Sequence, residues 1–74
     1  MTLNEVAIGG LCKVTRLTGS GALKRRIMDM GITKGTEIKV VKIAPLGDPM
    51  ELNVRGYDLS VRKNEAATVE VEPL

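Results

Sequence analysis

Three groups of side chains in this sequence could do chemistry. The first is the set of soft metal ligands, Cys12, Met28, Met30 and Met50. A zinc or iron site is built from converging thiolates, imidazoles or carboxylates. This chain has no histidine, one cysteine, and no pair of carboxylates at a helical or loop spacing that would complete such a site. Methionine at helical or strand spacing is ordinarily core filling, so no metal ligand and no cofactor is expected. The same shortage argues against catalysis. A Ser/His or Cys/His nucleophile pair cannot form, and Cys12 has no activating base in sight, so the chain is not expected to be an enzyme.

The second group is TGSGALKRR, residues 18–26, where glycines precede a helix and three cations follow. Glycines before a helix N-terminus can cradle a phosphate. The segment lacks the GK[ST] ending of a P-loop, and a turn capped by Ser20 accounts for it with less. Lys24, Arg25 and Arg26 then form a basic helix face, with Lys13 and Arg16 nearby on a strand. A solvated face is the usual reading of such a run. The functional alternative is a docking patch, where charge steers an acidic partner and fixes its orientation; an arginine supplied to a partner GTPase is a narrower version of that idea.

The third group is the loop APLGDP, residues 44–49. Pro45 suits the second position of a β-turn from Ala44 to Gly47, and Pro49 drives Asp48 toward extended backbone. The loop is therefore stiff. Either it fixes the register of two strands, or it presents Leu46 at low entropic cost as an anchor for a partner's pocket. The candidate partner-binding residues are accordingly Pro45, Leu46, Gly47, Asp48 and Pro49, with Lys24, Arg25 and Arg26.

Local patterns supply the elements that must hold these groups. LCKVTRL (11–17) alternates as a half-buried strand does. In ALKRRIMDM (22–30), Leu23, Ile27 and Met30 fall on one helical face, and Gly31 suits a left-handed C-terminal cap. TEIKVVKIA (36–44) is rich in β-branched residues. MELNVR (50–55) sets Met50, Leu52 and Val54 against Glu51, Asn53 and Arg55. RGYD (55–58) turns into LSVR, with Leu59 and Val61 facing inward; KNEAA connects to TVEVE, with Val69 and Val71 facing inward. The expectation is a mainly β, SH3-like barrel of about five strands, closed or nearly so, with one short helix inserted after the first strand.

Seventy-four residues make a single domain, residues 1–74. A chain this short buries only about 60% of its unfolded surface, so its core is small. Net charge is +2, too weak to imply a nucleic-acid or membrane-surface partner, and Tyr57, the single aromatic, cannot supply a stacking platform. No nucleic-acid partner is expected, and self-association, if any, is expected to be weak. The lone cysteine and the absence of a leader-like or membrane-length apolar run lead us to expect a cytoplasmic protein.

The combination MDMGITKGTEIKVV, APLGDP and GYDLSVRKNEAATVEV, spanning about Leu3 to Val71, resembles the FeoA family of small bacterial ferrous-iron-transport proteins. The resemblance implies an SH3-like barrel with a helical insertion. It also implies a cytoplasmic accessory protein that works by protein-protein interaction with FeoB, the membrane ferrous-iron transporter, and is recruited by it to the inner membrane face. Transition-metal association enters only at the level of the family. The same barrel resembles the C-terminal domain of DtxR-type iron-dependent repressors. The alternative function is thus a small nucleic-acid-binding or iron-dependent regulator domain. The leading Met and the lack of a helix-turn-helix segment favour a free-standing accessory protein.

Overall fold

The computed structural model describes all 74 residues. Its strands are β1 (Leu11–Leu17), β2 (Glu37–Ile43), β3 (Met50–Val54), β4 (Tyr57–Val61) and β5 (Val69–Pro73), with helices α1 (Gly21–Asp29) and α2 (Lys63–Ala66). The strands form one antiparallel sheet in the order β4-β3-β2-β1-β5. This is the expected mainly β fold with a short helix after the first strand.

Alternation places the core. β3 buries Met50, Leu52 and Val54 and turns Glu51 and Asn53 outward, as its period-2 pattern dictates. Cys12 and Val14 of β1, Ile38 and Val40 of β2, Val61 of β4, and Val69 and Val71 of β5 complete the strand side of the core. β1 and β2 each carry a register shift, between Val14 and Arg16 and between Val40 and Lys42. Such bulges bend and twist a strand, which lets one short sheet wrap its own core. Arg55 and Gly56 take φ of 54° and 86°, the left-handed pair that a two-residue hairpin turn requires.

The helix contributes Ile27 to this core, and its end is well made. Gly31 has φ 89°; its N–H donates to the Met28 carbonyl at 2.9 Å, and that of Ile32 reaches the Ile27 carbonyl at 3.3 Å. These are the two bonds of a Schellman motif, and Ile27 and Ile32, its hydrophobic pair, are both buried.

Three expectations change. Ser20 occupies the N-cap position of α1 but its side chain caps nothing. Gly21 starts the helix at φ 60°, not the negative value that aims the next N–H groups back at a capping oxygen. No element is expected before β1, yet Leu3 sits in a 3-10 turn, Leu3–Glu5, with its side chain wholly buried. KNEAA is not plain connection, since Lys63–Ala66 form α2. Of the two forms expected, closed or nearly so, the barrel is not the fully hydrogen-bonded one, because β4 and β5 are separate edges of the sheet.

Candidate partner-docking site

The loop after β2 is built as its residue types require. The Gly47 N–H donates to the Ala44 carbonyl at 2.7 Å, closing a β-turn with Pro45 and Leu46 in the middle, and Gly47 has φ 86°. The Ala44 N–H in turn donates to the Pro49 carbonyl at 3.1 Å. The Asp48–Pro49 peptide is cis. At the tip, Leu46 is 95% exposed, more than any other large apolar residue of the chain. A leucine so placed adds almost nothing to its own core.

Asp48 has a different task. Its Oδ1 accepts a hydrogen bond from the backbone N–H of Lys63, the first residue of α2, at 3.0 Å. The carboxylate thus satisfies one of the N–H groups that a helix start leaves unpaired, and it ties the loop to α2. Two residues on, Glu65 is a buried acid whose Oε1 accepts from the Arg62 N–H at 2.9 Å and whose Oε2 meets Arg26 Nε of α1 at 2.9 Å. A carboxylate buried without such partners would be costly to the fold.

The basic helix face is therefore not one uniform patch. Arg26 is engaged with Glu65, while Lys24 and Arg25 are exposed and take part in no ion pair. Arg16 of β1 pairs loosely with Glu70 at 3.6 Å, both side chains well exposed. It does lie near the helix, as expected: Arg16, Lys24, Met28 and Lys34 share the rim of a shallow depression of about 330 Å³. Met50 is buried and Met30 packs on the core, but Met28 is 46% exposed and fills nothing. Burial raises the pKa of Cys12, so its thiol stays protonated and poorly nucleophilic at neutral pH. No three Cys, Asp or Glu side chains are arranged to hold a metal ion.

The structure thus brings Pro45 to Pro49 together, with Leu46 as the exposed member and Asp48 turned to internal use. It separates Arg26 from Lys24 and Arg25 in role. Sequence reading missed Glu65 and α2. The usual sequence mark is missing, because Arg62 stands where a capping box has Ser, Thr, Asp or Asn; only Glu65, three residues on and bonded back to the Arg62 N–H, supplies half of that motif.

A family model of the FeoA domain matches residues 1–73. This chain belongs to the FeoA family. A curated relative, the Fe(2+) transport protein A/Fe(2+) transporter FeoB fusion protein of Porphyromonas gingivalis, is 39% identical over 72 residues. The match takes in 97% of this chain but only 8% of that fusion protein. Among solved structures, a FeoA-like protein from Clostridium acetobutylicum is 49% identical with a TM-score of 0.94, covering 100% of this chain and 86% of that one. Stenotrophomonas maltophilia FeoA, described as an SH3 domain protein and solved with zinc, is 29% identical with a TM-score of 0.85 over 97% of this chain and 89% of that one. The manganese regulator SloR, 18% identical with a TM-score of 0.86 over 100% of this chain and 34% of that one, shares the FeoA fold alone. No helix of this FeoA chain is long and apolar enough to cross a membrane.

Proposed function

We propose that this chain is an accessory module of bacterial ferrous-iron uptake that docks on the cytoplasmic region of a FeoB-like transporter and modulates it. The observation that carries the reading is Leu46, 95% exposed at the tip of a hydrogen-bonded Pro45 turn. A braced tip holds an apolar anchor in place before the partner arrives, so little entropy is lost on binding. Lys24 and Arg25 on α1, free of internal partners, supply charge that steers an acidic partner surface. The relative in which a FeoA segment shares one chain with FeoB supports the choice of partner.

A titration against the FeoB cytoplasmic region, paired with thermal melts, tests this reading. Leu46→Ala is expected to leave the melting temperature unchanged and to weaken binding by about 1–3 kcal/mol, the range for losing an apolar anchor. Val54→Ala is the control: that residue is 2% exposed, so stability falls first and binding only follows. If Leu46→Ala binds like the parent, the loop is a connector and the proposal is wrong.

A further inference from the structure

The two edges of the sheet are treated differently. β5 is covered along its outer side: the Val71 N–H donates to the Met1 carbonyl at 2.8 Å, Thr2 bridges to Glu70, and the strand ends in Pro73. β4 has no such cover. It pairs with β3 on one side, and no backbone hydrogen bond outside the strand ladders involves residues 57 to 61. An uncovered edge is a template for another strand.

The register of the hairpin determines what this edge offers. The two-residue turn makes Val54 and Tyr57 a hydrogen-bonded pair, and alternation then gives Leu52 with Leu59 and Met50 with Val61. Asp58 and Ser60 are left with N–H and C=O directed away from β3. One residue further, the Arg62 N–H is bonded to Glu65 and its carbonyl accepts from Glu65 and Ala66. The usable edge therefore ends at Val61.

We propose that β4 pairs antiparallel with β4 of a second copy of this chain, about a two-fold axis through Leu59, forming a weak symmetric dimer. In that register Asp58 faces Ser60 of the other copy and Ser60 faces its Asp58. All four free N–H groups and carbonyl oxygens on each copy's pair of residues are then matched in two hydrogen-bonded pairs, and a hydroxyl stands opposite each carboxylate within side-chain reach. The alternatives are worse. An axis at Asp58 sets two carboxylates face to face, and an axis at Ser60 calls on Arg62, whose backbone is occupied. On the core-side face, Leu59 meets Leu59 of the other copy, and the Tyr57 ring lies over the strand backbone at Val61, whose own side chain is buried. This covers an aromatic ring that is 76% exposed and a leucine already packed on the core rim. Such a contact is isologous and closes on itself, and its small area places it among weak, transient associations.

Sedimentation equilibrium from low micromolar to millimolar chain tests the proposal. The weight-average mass is expected to climb from 8.0 kDa toward twice that value. Ser60→Pro removes an N–H that the ladder does not use, so a proline is tolerated there; it is expected to melt like the parent and stay monomeric throughout. Tyr57→Ser should raise the dissociation constant about tenfold, and Leu46→Ala should leave it unchanged. A parent that remains monomeric at millimolar concentration overturns the proposal, as does a Ser60→Pro chain that still dimerises. Should Ser60→Pro fail to fold, amide exchange on the parent decides: the Asp58 and Ser60 amides must slow as concentration rises, and rates independent of concentration refute the pairing.

Discussion

The loop tip and the α1 face both carry residues that a partner could read, yet they are held in opposite ways. The tip is fixed by its own backbone, through the Gly47 and Ala44 hydrogen bonds, and its leucine touches little else. The helix is fixed by its side chains, with Ile27 in the core and Arg26 on Glu65. The difference teaches that exposure by composition and exposure by construction are separate things. Of three consecutive cations, one is an internal brace, whereas the apolar residue in the loop is the one left free.

Substitutions on the helix sharpen this contrast. Ile27→Ala is expected to cost about 2–5 kcal/mol, the usual penalty for emptying a buried aliphatic site, and chemical denaturation will show it as a lowered midpoint. In a domain with so small a core, that loss unfolds much of the population near physiological temperature. Arg26→Ala leaves Glu65 buried without its cation. Because Arg26 is itself 58% exposed and water can reach the vacated side, we expect a loss of about 1 kcal/mol, the low end for an acceptor stripped of a partner. The companion Arg25→Ala should change stability by less than about 0.5 kcal/mol. Equal effects of the two arginine substitutions would erase the difference between a bracing and a free cation. On the tip, Pro45→Gly should fall between the two arginine substitutions, loosening the turn by about 0.4–1 kcal/mol through the unfolded chain and lowering partner affinity by a similar amount.

Much of this was legible in the residues. β1 and β3 could be read because alternation of Cys12 and Val14, and of Met50, Leu52 and Val54, is a local property. The Ala44–Gly47 turn and the Gly31 cap were readable for the same reason, since proline and glycine restrict or free the backbone at their own position. What could not be read was pairing between distant segments. Nothing near Arg26 announces Glu65, and nothing near Asp48 announces the Lys63 N–H. Leu3 and α2 escaped because a single turn of helix is too short to show a period. Ser20 misled because capping depends on the φ of Gly21, which a residue type that accepts either sign does not reveal.

The sheet order β4-β3-β2-β1-β5 also sets a sequence of events in time. The β3–β4 hairpin spans two turn residues, Arg55 and Gly56, and local pairing of this kind closes within about 1–10 μs. The β1–β5 ladder joins Cys12 to Pro73, across nearly the whole chain, and loop entropy delays such contacts until others have shortened the path. The hairpin, with its bare β4 edge, is therefore expected to exist before the N-terminal residues have covered β5. For a brief interval both edges lie open, and the folding chain is more adhesive than the folded one. Pulse-labelled amide exchange during refolding would reveal the order, and protection of Val71 ahead of Leu52 and Leu59 would contradict it.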